Sequence, residues 1–154
     1  MTTAGPDAPR SNRPSRDDLL RIYRETRTIA VVGASDNRRK AAGAIPAYLA
    51  TQGYRVIAVN PTRDSVLGLP TVASLADIDE PVDVVDVFRP ADEGPAIARE
   101  AARIGAAVVW FQPGTQSAEA SAVAREAGLV VVTRLCMGDT HAALGLGPGP
   151  DEHD

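Results

Sequence analysis

Five short apolar runs, each separated from the next by a helical pattern or a long connection, constrain this chain more than any other feature. Residues 28–32, 55–59, 82–88, 106–111 and 129–132 are all short and rich in Val or Ile. A strand that is apolar along its whole length is buried on both faces, as in a parallel sheet. Helical spacing fills most of the gaps. Residues 17–26 place Leu19, Leu20 and Tyr23 on one face; Ile45, Tyr48 and Leu49 follow at i, i+3, i+4, with Pro46 suited to a first turn. Residues 92–104 carry Ile97, Ala101 and Ile104 before Gly105, and residues 117–127 run from a Ser117 cap to Gly128. Residues 137–144 add a last short helix, whereas residues 61–79, with Gly68 and Pro70, form a long connection without clear period. Strands and helices alternating in this way predict an α/β fold: a doubly wound parallel sheet of about five strands in three layers.

Composition narrows the setting. With 154 residues and 44% apolar content, the chain supplies one core. Residues 1–16, rich in Pro, Arg, Ser and Asn, and residues 147–154, rich in Gly, Pro and acid, are expected to be disordered tails on a single domain of residues 17–146. A net charge of −4 offers no basic surplus for nucleic acid. No apolar run reaches the ~20 residues of a membrane span. The N-terminus has no apolar stretch of the secretory kind. One cysteine, Cys136, excludes an internal disulfide and a Cys-based structural zinc site. A cytoplasmic location is expected.

Ligands of doubly wound sheets bind beyond the carboxyl ends of the strands, near the reversal of strand order. Gly33-Ala34-Ser35, Asn60-Pro61, Phe88-Arg89 and Gln112-Pro113-Gly114 all fall there. The first is a phosphate turn in outline. Gly33 permits a tight turn, Ser35 offers a hydroxyl, a helix N-terminus follows, and Arg38, Arg39 and Lys40 add cations. It departs from G-x-G-x-x-G, because Ser35 and Arg38 stand where the second and third glycines belong. It lacks the Gly-Lys-Ser/Thr of a Walker loop as well. An NAD site also wants an acid at the end of the second strand, where this chain has Asn60, then Pro61, Thr62 and Arg63. A missing acid and an added arginine favour a ligand with phosphate near its adenosine, as in coenzyme A or NADP.

An ordered set of motifs carries a resemblance. Val31-Val32-Gly33-Ala34-Ser35, Tyr48-Leu49, Gly53-Tyr54-Arg55-Val56 and Val59-Asn60-Pro61 come first. Gly68, Ser74-Leu75, the run from Val82 to Arg89, Trp110 to Gly114, Ala127-Gly128-Leu129 and Cys136-Met137 follow in order. From about Thr28 to His141 the chain resembles the small stand-alone CoA-binding proteins, which are similar to the N-terminal domain of the succinyl-CoA synthetase alpha subunit. The resemblance implies a Rossmann-like CoA-binding fold. It matches Gly33, Ala34 and Ser35 to the phosphate turn and Lys40 to a basic position in the following helix approach. Asn60 and Pro61 match the adenosine end, Phe88 and Arg89 the third strand end, and Trp110, Gln112 and Gly114 the fourth. The chain departs from the family pattern at Arg38, Ala42, Arg134-Leu135 and Thr140.

Individual residues admit more than one role. Arg63 pairs with a 3′-phosphate or is a solvated loop charge. Arg89 clamps phosphate or bonds a loop carbonyl. Gln112 bonds a ligand amide or is structural. Trp110 reads as core, and Cys136 as a small buried hydrophobe rather than a nucleophile or a partner in a mixed disulfide with CoA. His141, five residues on, lies off its helical face. Asp83 and Asp86 face opposite sides of a strand and form no carboxylate pair; Asp83 opens the strand and Asp86 bonds or neighbours a loop. The leading reading is a module binding CoA or acyl-CoA, without catalytic residues and without nucleic-acid or membrane partners. An NAD(P)-binding redox-responsive protein and a CoA-binding subunit of a multi-chain acyl-CoA synthetase are the alternatives. An exposed Ala-rich helix face suits a homodimer.

Overall fold

The structure, a computed structural model, describes residues 13–148. Most of both expected tails, residues 1–12 and 149–154, lies outside the described residues. Helix α1 (Arg16–Glu25) starts on Ser15, whose hydroxyl accepts from the Asp18 N–H while the Asp18 carboxylate accepts from the Ser15 N–H. This reciprocal cap starts the helix one residue earlier than its apolar spacing indicates. The helix buries Leu19, Ile22 and Tyr23, and Leu20 is only partly covered.

Strand β1 (Thr28–Val32), helix α2 (Ala41–Thr51), β2 (Arg55–Val59), β3 (Thr71–Val72) and β4 (Val84–Val87) follow. Then come α3 (Gly94–Arg103), β5 (Val108–Phe111), α4 (Ala118–Glu126), β6 (Val130–Thr133) and α5 (Met137–Ala143). The strands form one sheet in the order β3-β2-β1-β4-β5-β6, every pair parallel. The α/β doubly wound architecture is as expected, with six strands rather than about five. The additional strand, β3, lies inside the connection of residues 61–79. Its two residues pair Thr71 with Ala58 and Val72 with Val59, too short a run to show a period.

Helices cover both faces of the sheet. On one, α1, α2 and α5 bury Tyr23, Ile29, Val31, Leu49, Trp110 and Met137. On the other, α3 and α4 bury Ala30, Val85, Val87, Ile97, Phe111 and Ala124. Strand order reverses between β1 and β4, so their carboxyl ends border the crevice of a doubly wound sheet.

Pro46 lies in the interior of α2, beyond the first turn where it was expected. A proline there has no N–H for the carbonyl four residues back. That carbonyl, of Ala42, accepts instead from the Ser35 N–H at 3.0 Å. The proline thus frees a helix carbonyl that fastens the turn after β1 to α2.

Candidate functional site

The turn after β1 is built by short-range chemistry. Gly33 has φ +91°, a left-handed value that glycine alone adopts at little cost. Its N–H donates to the Val59 carbonyl at 3.1 Å, tying the turn to β2. A Cβ at Gly33 would lie 2.9 Å from Arg89 Cδ and 3.2 Å from the Phe88 carbonyl oxygen, so the β1 and β4 ends meet here. Ser35 Oγ accepts from the Asn37 N–H at 3.0 Å, and Asn37 Oδ1 accepts from the Arg39 N–H at 2.9 Å. The Ser35 hydroxyl keeps its own proton to donate. Gly43, in the first turn of α2, allows the closest approach: a Cβ there would lie 2.2 Å from the Asn37 carbonyl oxygen and 2.8 Å from that of Ser35. The glycine that packs turn against helix is therefore Gly43, outside the G-x-G-x-x-G spacing.

Asn60, at the end of β2, locks the other wall. Its Nδ2 donates to the Ala34 carbonyl at 3.1 Å, and its Oδ1 accepts from the Thr62 N–H and hydroxyl at 2.9 Å. Asp36 ties the following loop to the turn. Its Oδ1 accepts from the Leu67 N–H at 2.7 Å, and its Oδ2 lies 3.5 Å from Arg63.

Between these walls a cleft of about 490 Å³ opens at the carboxyl ends of β1 and β2. Gly33, Asn60, Pro61 and Arg89, all anticipated, line it together. Ala34 and Ser35 belong to the same turn; Arg38 and Lys40 are exposed on the segment leading into α2. Arg63 is exposed at the loop beside Asp36, and Phe88 is half-buried at the end of β4. Thr62, Ser74, Glu93 and Glu100 also face the cleft, and sequence reasoning did not assign them to it. Glu93 had one signal, its place four residues after Arg89. Arg89 Nε donates to Glu93 Oε1 at 3.0 Å and Nη2 to Oε2 at 2.6 Å. That pairing lowers the carboxyl pKa of Glu93 and raises the guanidinium pKa of Arg89.

Gln112 is turned away from the cleft. It is buried, and its Nε2 donates to Asp86 Oδ1 at 2.5 Å. Asp86 stands in β4 between Val31 and Trp110 of the neighbouring strands and is fully buried. Burial pushes its carboxyl up to about 7 against the opposing pull of the Gln112 hydrogen bond. Among the described residues its Oδ2 has no hydrogen-bond partner. Asp83 stands immediately before β4, and its Oδ2 accepts from the Arg27 and Thr28 N–H groups.

Trp110 is core, its Nε1 donating to the Leu135 carbonyl at 2.8 Å. Cys136 caps α5, with its Sγ 3.5 Å from the Asp139 N–H, and is only partly buried. Desolvation is the chief cause raising its thiol pKa, contrary to an activated nucleophile. His141 is buried, with Nδ1 2.8 Å from the Tyr48 hydroxyl and the rings of Tyr23, Tyr48 and Tyr54 around it. Among the described residues no helix is long and apolar enough to cross a membrane.

This arrangement has relatives. A family model described as a CoA binding domain matches residues 27–142. The uncharacterized protein YneT of Bacillus subtilis (strain 168) is 37% identical over 129 residues, spanning 84% of this chain and 96% of its own. A hypothetical protein from Pyrococcus horikoshii OT3 superposes with a TM-score of 0.84 at 37% identity, over 86% of this chain and 94% of that one. The dinucleotide-forming acetyl-coenzyme A synthetase 1 of Ca. Korarchaeum cryptofilum matches with a TM-score of 0.63 at 26% identity. That match spans 74% of this chain but 27% of the synthetase chain. The family model over most of the chain and the relative 37% identical over 84% of it agree: the chain belongs to the CoA-binding domain family.

Proposed function

We propose that this protein is a binding module for coenzyme A or an acyl-CoA, held across the cleft at the carboxyl ends of β1, β2 and β4. The observation that carries this reading is the turn from Gly33 to Ser35. Gly33 lines the cleft, Gly43 lets the turn pack closely on α2, and Asn60 and Ala42 hold the turn in place. The N–H groups of Gly33 and Ser35 are engaged by the Val59 and Ala42 carbonyls, so phosphate oxygens would meet the Ala34 N–H and the Ser35 hydroxyl. The pyrophosphate would rest on Gly33, Ala34 and Ser35, with Arg38 and Lys40 as nearby cations. The adenosine and its 3′-phosphate would lie toward Asn60, Pro61 and Arg63, and the pantetheine arm would run toward Phe88. The Gln112 amide is engaged by Asp86 and takes no part.

CoA is favoured over NAD by the end of β2, and over NADP by the family match. Asn60 spends its side chain on Ala34 and Thr62, and no carboxylate stands there for a ribose diol. We assign the module no reaction of its own: the Cys136 thiol is held protonated by burial, and the His141 ring is packed among tyrosines. Replacing Ser35 and Lys40 together by alanine should weaken CoA binding about tenfold, by loss of one hydroxyl donor and one charge. Calorimetric titration measures this, and unchanged affinity would remove the turn from the ligand site.

The similarity to an acetyl-coenzyme A synthetase, of which this chain spans 27%, favours one further reading. The module would then serve as the CoA-binding part of a synthetase whose remaining domains lie on another chain. Co-purification with an ATP-grasp polypeptide would support that reading, and purification only with itself would count against it.

A further inference from the structure

Arg89 leaves the end of β4 and lays its aliphatic stem over the first turn, with Cδ 2.9 Å and Cγ 3.3 Å from where a Cβ of Gly33 would stand. Its guanidinium is thus held beside the turn, yet its Nε and Nη2 both donate to Glu93, at 3.0 and 2.6 Å. Arg89 and Glu93 both line the cleft. Their side chains are 46% and 44% exposed, so the pair stands in water and exchanges partners at little cost. A carboxylate and a phosphoryl group ask the same of a guanidinium: two parallel N–H donors and one positive charge. A phosphoryl group arriving on the turn therefore meets its best cation already engaged, with a carboxylate of like charge beside it.

We propose that Glu93 sets the selectivity of the cleft for phosphate-bearing ligands by competing with them for Arg89. The inference rests on the reading that phosphates sit on the turn from Gly33 to Ser35. Glu93 acts through Arg89, by holding both of its donors. It raises the threshold for polyanionic nucleotides and admits those with further contacts along the cleft to offset the competition. Asp36, the acid beside Arg63, is a poorer candidate, because its carboxylate also fastens the loop at Leu67.

The test is calorimetric titration with CoA of the wild type, Glu93→Gln, Arg89→Gln and the double variant, at low and at high salt. Glutamine keeps the shape and removes the charge. Glu93→Gln should bind CoA about fivefold more tightly at low salt, the effect of freeing one guanidinium charge to meet a phosphate about 4 Å away in water-like surroundings. The gain should shrink at high salt and vanish in the Arg89→Gln background. CoA binding by the wild type with no gain in Glu93→Gln would overturn the proposal and leave the site reading standing. A gain that persists without Arg89 would also overturn it. No CoA binding by either the wild type or Glu93→Gln would remove both the proposal and the site reading.

Discussion

Asp86 is where a single side chain departs furthest from the pattern around it. A carboxylate in the middle of a Val-rich parallel sheet, with one oxygen bonded to Gln112 and the other without a partner among the described residues, disfavours its charged form. Its ordinary carboxyl value is 3.8, and in the fold it is pushed up to about 7. Between those values the folded chain keeps a proton that the unfolded chain has released. Its contribution to stability is therefore greatest below about pH 4, falls as pH rises through that window, and levels off above about 7. The isosteric Asp86→Asn should lose this dependence and gain on the wild type as pH rises from 5 to 8. Urea unfolding of both proteins at each pH measures the difference, and parallel profiles would contradict the account. The sequence showed that Asp83 and Asp86 do not act together. That Gln112 turns inward to meet Asp86 was not legible, because the residue just after β5 finds its partner in β4 only once strand register exists.

At the scale of elements, the apolar runs announced β1, β2, β4, β5 and β6, and the helical spacings announced all five helices, with ends shifted by a residue or two. β3 escaped because its two residues are held by pairing with β2 rather than by any pattern of their own. The join between the first turn and α2 was hidden for a related reason. Pro46 read as an early-helix residue, and the sequence reading assigned Gly43 no role. In the fold they are complementary: Pro46 releases the Ala42 carbonyl to the Ser35 N–H, and Gly43 leaves room for the Asn37 and Ser35 carbonyls against the helix. A methyl group 2.2 Å from a backbone oxygen forces the segment from Ser35 to Asn37 away from α2. Gly43→Ala should therefore destabilise the protein by about 1–3 kcal/mol, the usual cost of overpacking. It should weaken CoA binding more than a surface substitution in α2 such as Thr51→Ser. Thermal unfolding and titration of both variants check this, and an unchanged midpoint for Gly43→Ala would contradict the tight packing.

For the molecule as a whole, the strand order is what turns local features into one cleft. The sheet reverses between β1 and β4, so turns far apart in sequence, at Gly33, Asn60 and Arg89, reach the same crevice. The positions of these turns after strands were readable from sequence, as was the resemblance that the family match bears out. The acids facing the cleft were not. Glu93 and Glu100 belong to the segment after β4, whose inward side appears only when α3 packs on the sheet. The central claim is that the cleft binds coenzyme A through its phosphates. Side-by-side calorimetric titration of the wild-type protein with CoA, dephospho-CoA and NADP tests it most directly. The account predicts binding of CoA, weaker binding of dephospho-CoA for want of the 3′-phosphate, and weaker binding still of NADP. Absence of heat with CoA, or tighter binding of NADP, would contradict it.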